Sequence, residues 1–134
     1  VDLLNFFSKS KVLKTFTFNN SNQKDFNLSA ILKFKNGINA TYVSNWSSPD
    51  RYSIKLFTEK KTFFIKPLEE CYYIDRNFKK TIIQPNKVDR LYKPGFYKLT
   101  HNFINLIENK KNLWPDNNLE SVLSTYQLIK MIYS

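Results

Sequence analysis

Residues able to do chemistry are thinly spread in this sequence: Asp2, Trp46, Arg51, Cys71, Tyr97 and His101 stand out. Asp2 can orient a neighbouring acid/base group or contact a substrate. Its other role is plain helix-surface charge. Trp46 follows Ser44 and Asn45 at a strand end, where an indole beside two polar side chains suits a polyol as well as an interface. Arg51 can hold an anionic group through charge-assisted hydrogen bonds, or simply be solvated. Tyr97 opens a helix and offers its phenol to a substrate, with His101 one turn further on. Together Asp2, Trp46, Arg51, Tyr97 and His101 are the candidate substrate-binding residues. Cys71 has no motif around it and reads as a half-buried strand residue.

No catalytic set is expected within the chain. It has one His, no G-x-S-x-G turn and no His/Cys cluster with metal-ligand spacing. Its two glycines, Gly37 and Gly95, cannot build a G-x-G-x-x-G dinucleotide loop. Catalytic, cofactor and metal sites are therefore all expected to be absent here.

The 134 residues suffice for one domain with a core, spanning 1–134, and not for two. At 42% hydrophobic and 16% aromatic, the chain has enough apolar surface to fold. Its apolar runs are too short for a membrane span, and Val1-Asp2-Leu3-Leu4 does not resemble a signal peptide. A lone cysteine excludes an internal disulfide and suits a reducing, cytoplasmic setting. The net charge of +10 suggests nucleic acid. Against this, the positive charge is almost all scattered lysine, with Arg51, Arg76 and Arg90 the only guanidinium groups. Solvated surface charge explains it better, so nucleic acid is not the expected partner.

These residues must be positioned by strands and helices. Asp2–Phe7 reads as the last turns of a helix without an N-cap, as if sequence upstream had been removed. Val12–Phe18 is β-branched and aromatic. Leu28–Phe34 alternates, with Leu28, Ala30, Leu32 and Phe34 on one face. Asn36-Gly37 is a hairpin signal, both residues tolerating positive φ, and leads into Ile38–Trp46. There Ile38, Ala40, Tyr42, Ser44 and Trp46 share a face. Tyr52–Phe57, Thr62–Lys66, Glu70–Asp75 and Phe78–Gln84 continue the meander. Asn86 to Pro94 reads as a linker. Gly95–Asn109 has helical periodicity, with Phe96, Leu99, Phe103, Leu106 and Ile107 as its stripe. After a Trp114-Pro115 loop, Asn117 can cap a last helix, burying Leu119, Val122, Leu123, Tyr126, Ile129 and Tyr133.

Strands followed by helices predict an α+β fold: a mostly antiparallel sheet of six to seven strands with helices packed on one face. Apolar residues occupy both strand faces. The second face is therefore expected to meet another subunit, giving a homo-oligomer.

Several segments in order resemble a known family. DFNLSAILKFKNGINATYVSNWSSP is similar to paired strands in the C-terminal domain of the Gfo/Idh/MocA oxidoreductases, the glucose–fructose oxidoreductase and inositol dehydrogenase group. The matching features are Asp25, Phe34, Asn36-Gly37 and Ser44-Asn45-Trp46. GFYKLTHNFINLIENKKNLWPDNNLESVLSTYQLIKMI resembles that family's closing helices. Val1-Asp2-Leu3-Leu4 resembles the end of its His-x-x-Asp-Leu-Leu motif.

The resemblance implies a parent enzyme with an N-terminal Rossmann-like domain, NAD(P), and a small-molecule sugar, polyol or nucleotide-sugar substrate. The family's Glu-Lys-Pro lysine and its His form the acid/base pair. The Glu-Lys-Pro motif is absent here, and the His would fall two positions before Val1. This chain would supply substrate pocket and oligomer interface, and be inactive alone. Two features depart from the pattern: Ser8-Lys9 where members often have Gly, and Thr58-Glu59-Lys60-Lys61 where a turn glycine is common. The rival reading is a basic β-sheet module that binds nucleic acid or another polyanion.

Overall fold

The computed structural model describes residues 1–19, 27–50, 52–108 and 119–133. Its elements are α1 (Asp2–Ser8), β1 (Val12–Asn19), β2 (Asn27–Phe34), β3 (Asn39–Asn45), β4 (Ile54–Phe57), β5 (Lys61–Ile65), β6 (Cys71–Asp75), β7 (Lys80–Ile83), α2 (Lys87–Leu91), α3 (Phe96–Ile107) and α4 (Leu119–Tyr133). The α+β class and the seven antiparallel strands are as expected. Backbone hydrogen bonds group them as β1-β2-β3 and β4-β5-β6-β7. The chain falls into two compact units, Val1–Pro49 with Asp116–Ser134, and Asp50–Pro115. Among the described residues, no helix is long and apolar enough to cross a membrane.

The first unit is built on the alternation of β2. Leu28, Ala30, Leu32 and Phe34 are each at most 1% exposed, as the period-two pattern requires. Leu128 and Ile132 of α4 complete this core, and Val1, Leu4, Val12, Ala40 and Tyr42 pack against it. Removing a Leu or Phe side chain from water contributes about 1.5–3 kcal/mol, so β2 alone supplies much of this unit's stability.

The buried face of α4 differs from the expected one. Val122, Leu123 and Tyr126 are exposed, while Leu128 and Ile132 are buried. Apolar residues lie on more than one side of this helix, so periodicity alone does not choose the side. Thr125, one turn before Leu128, points to the reason, since it hydrogen-bonds α1. The expected cap at Asn117 lies outside the described residues.

A bulge decides which way β1 faces. Val12 pairs with Phe34, but Lys14 pairs with Lys33, so β1 carries one extra residue. Beyond it the parity flips. Thr15 and Thr17 oppose Leu32 and Ala30 on the core side, and Phe16 and Phe18 oppose Ile31 and Ser29 on the outer side. Without the bulge, Phe16 would oppose Ala30 and enter the core.

The β2–β3 hairpin uses its turn residues differently from one another. Gly37 takes φ +89°, whereas Asn36 is not in the left-handed region. Asn36 instead donates from Nδ2 to the Ser8 carbonyl at 2.9 Å and accepts at Oδ1 from Ile38 N–H at 3.3 Å. The hairpin is thereby tied to the end of α1.

In the second unit, Asn86–Pro94 is not a bare linker. Asn86 accepts from Asp89 N–H at 2.8 Å and caps the five-residue α2. Asp89 in turn accepts from Gly95 N–H at 3.0 Å. Phe78 begins no strand. Asp75 accepts from the N–H groups of Asn77 and Lys79, which holds Phe78 in a turn at φ +58°. Among the described residues, none of the fully buried ones lies in this unit.

Lys9 closes α1 in the left-handed conformation, φ 48° and ψ 33°, where related sequences were expected to carry glycine. A Cβ there is unfavourable. Lys9→Gly is expected to raise the unfolding free energy by about 0.5–1 kcal/mol, after allowing for the greater freedom of glycine in the unfolded chain. Urea denaturation followed by circular dichroism checks this; an equal or lower midpoint contradicts it.

Candidate functional site

Asp2 stands in the first turn of α1, where a carboxylate suits the helix dipole. It is not free. Thr125 Oγ1 donates to Asp2 Oδ1 at 2.7 Å and accepts from Asn5 Nδ2 at 3.4 Å. One hydroxyl on α4 therefore binds two side chains one turn apart on α1. Nothing in the sequence pattern singled out Thr125, because a lone mid-helix threonine has no local signature.

Trp46 lies just past β3 and is 76% exposed. Its neighbour Asn45 accepts from Ser47 N–H at 3.0 Å and shapes the turn that follows. Arg51 lies outside the described residues. Beside it in sequence, Asp50 pairs with Lys66 at 2.8 Å across a half-exposed surface, an arrangement that contributes little to stability.

Tyr97 and His101 are brought together. They lie one turn apart on α3, with ring centroids 5.9 Å apart and planes inclined by 23°. Asn105, a further turn on, places its Nδ2 3.0 Å from His101 Nδ1. Asn105 was not among the residues picked from the sequence. An i, i+4, i+8 series of Tyr, His and Asn was the available signal, masked by the stronger apolar stripe. That stripe is present but exposed: Phe96, Leu99, Phe103, Leu106 and Ile107 are each more than half exposed.

Other polar groups serve the fold. Tyr42 and Tyr133 meet hydroxyl to hydroxyl at 3.2 Å, joining β3 to α4. Burial, followed by the Tyr133 contact, raises the Tyr42 phenol above its ordinary range. Burial likewise pushes the Cys71 thiol up, which makes it less reactive. Cys71 sits between Ile65 and Ile83 in the β5–β6–β7 ladder, the half-buried strand position expected. Among the described residues no His, Cys, Asp and Glu side chains gather as a metal site. An open depression at the end of the first sheet is lined by Thr17, Phe18, Asn19, Asn27 and Ser29, none of them a candidate residue.

No family model matches the chain, and no curated protein does. The crystal structure of a dehydrogenase (MviM) from Clostridium difficile is similar in fold, with a TM-score of 0.69 and 24% identity. The likeness covers 98% of this chain and 44% of that one, so this chain spans less than half the dehydrogenase's length. The fold implied by the sequence resemblance is the fold found.

The clamp on Asp2 is open to test. Thr125→Val keeps the shape and removes both hydrogen bonds; it is expected to cost about 1 kcal/mol. Thr125→Ser should recover most of that loss. Unfolding by urea provides the comparison, and a neutral Thr125→Val would contradict the clamp.

Proposed function

We propose that this chain is the sheet-forming half of an NAD(P)-dependent oxidoreductase of the Gfo/Idh/MocA type. Its role is to supply substrate-binding surface and an oligomer interface, in the cytoplasm, to an enzyme acting on a sugar, polyol or nucleotide-sugar hydroxyl. The hydride acceptor and the acid/base pair belong to the Rossmann-like half. The observation that carries this reading is the fold likeness to a dehydrogenase across 98% of the chain. Asp2, Trp46, Arg51, Tyr97 and His101 are its candidate substrate-binding residues.

The outer side of the first sheet supports the interface. Phe16, Phe18, Ile31 and Val43 are 52%, 64%, 48% and 67% exposed. They are neighbours across three strands on one side, since Phe16 opposes Ile31, and Ser29 opposes both Phe18 and Val43. On the opposite side, the Thr15 and Thr17 hydroxyl oxygens are buried without partners. A strand that points its aromatics outward and its hydroxyls inward loses stability unless the outer side is covered. A second copy of the same sheet covers it with like surface.

The rival polyanion reading rests on the aromatics of the second sheet. Phe64 and Tyr72 stack at 4.8 Å with planes 10° apart. That separation matches the spacing of adjacent strands, so the rings stand side by side with their faces toward neighbouring strands. Lys55 lies 5.0 Å over Phe64 and Lys80 lies 4.1 Å over Tyr72. The ring faces a nucleobase needs are occupied by ammonium groups and by each other. This favours the oxidoreductase reading.

Two measurements test the proposal. The sequence encoded upstream of Val1 is expected to contain a Gly-rich dinucleotide loop, Glu-Lys-Pro and a His two positions before Val1. The longer protein should then quench or shift NAD(P)H fluorescence on binding, while this chain alone leaves it unchanged. An upstream sequence lacking all three features overturns the assignment. Separately, sedimentation at micromolar concentration should show association that Val43→Lys abolishes. A wild-type monomer removes the interface and leaves the fold assignment standing.

A further inference from the structure

His101 is the only histidine in the chain, and its surroundings on α3 constrain where its proton sits. Asn105 Nδ2 stands 3.0 Å from His101 Nδ1. The amide nitrogen that faces the ring is a donor, and it pairs with Nδ1 in the tautomer whose Nδ1 carries no hydrogen. A neutral imidazole that accepts at one nitrogen carries its hydrogen on the other. One turn earlier on the helix, Tyr97 stacks beside the ring, with centroids 5.9 Å apart. Tyr97, His101 and Asn105 are spaced four residues apart, so they follow one line along the helix. Tyr97 is 55% exposed, so this line faces outward.

We infer that Asn105 is a positioning residue which holds His101 in the Nε2–H form, so that the neutral ring offers a hydrogen-bond donor to whatever meets α3. The group recognised is then an acceptor oxygen: a hydroxyl, carbonyl or oxyanion of a ligand. It is not a group that must itself donate. This deepens the proposed function, because its meaning for a substrate rests on His101 facing that substrate. The proton placement itself does not depend on the enzyme assignment.

The two can be separated experimentally. With one histidine, long-range proton–nitrogen correlation spectra of the labelled chain report the His101 tautomer without overlap. At alkaline pH, where imidazole is neutral, the Nε2–H form should predominate. In Asn105→Ala the preference for that form should weaken by about threefold, the order a partly exposed hydrogen bond supports. Asn105→Asp replaces the donor by an acceptor and should move the proton toward Nδ1. Far-ultraviolet circular dichroism of each variant establishes that α3 is retained, and Asn105→Gln supplies a second donor-bearing variant. A wild-type ring protonated at Nδ1, or a ratio unchanged in both Asn105→Ala and Asn105→Asp, overturns the inference. Either result leaves the fold and the dehydrogenase reading intact. Conversely, an upstream sequence without the dinucleotide loop would leave the tautomer result untouched.

Discussion

The first unit depends on one alternating strand. Leu28, Ala30, Leu32 and Phe34 project from the same side of β2, and all four are sealed from water. β1 and β3 flank this strand, and α4 brings Leu128 and Ile132 to it. Because the period along a strand is two, this burial also sets which residues of β1 and β3 face inward. Ala40, Tyr42 and Ser44 oppose Leu32, Ala30 and Leu28, and so share the inner side.

The bulge at the start of β1 turns that constraint into a surface. One additional residue between Val12 and Lys14 shifts the pairing, and a one-residue shift exchanges the two sides of a strand. Two phenylalanines that would have filled a core become an exposed patch with Ile31 and Val43. Two threonines take their place inside and leave hydroxyls without partners. Stability within the unit is thus given up where an exposed apolar surface is gained. The hydroxyl clamp from Thr125 to Asp2 and Asn5, and the Asn36 bond to Ser8, then fix α1 relative to this arrangement.

The second unit is organised differently. Its strands carry aromatic and aliphatic residues on both sides, and none is fully buried. Lysines lie across the aromatic rings of Phe57, Phe64, Tyr72 and Tyr73. Their aliphatic stems shield apolar surface while the ammonium groups stay in water. This accounts for part of the high lysine content without a polyanionic ligand. The stripe of α3 has the same character as the outer side of the first sheet: exposed apolar surface.

Much of this was legible in the residues. The alternation of Leu28–Phe34, the Gly37 turn, the α+β order and the stripe of α3 follow from local periodicity and turn chemistry, which need only near neighbours. Residue type made Asp2, Trp46, Tyr97 and His101 candidates and no more, while the ordered segments pointed to the fold. What local pattern could not decide were choices between nearly equal alternatives. β1 reads equally well in either parity until the bulge selects one. α4 has apolar residues on several sides until Thr125 meets Asp2. Asn86 and Asn105 are ordinary until the amide of Asp89 or the ring of His101 arrives. Those outcomes are set by contacts between residues distant in sequence, or by side-chain geometry that a pattern of types does not encode. The sequence alone therefore determined the elements and the α+β class of the fold. Only the tertiary structure decided which sides are buried and which stay exposed.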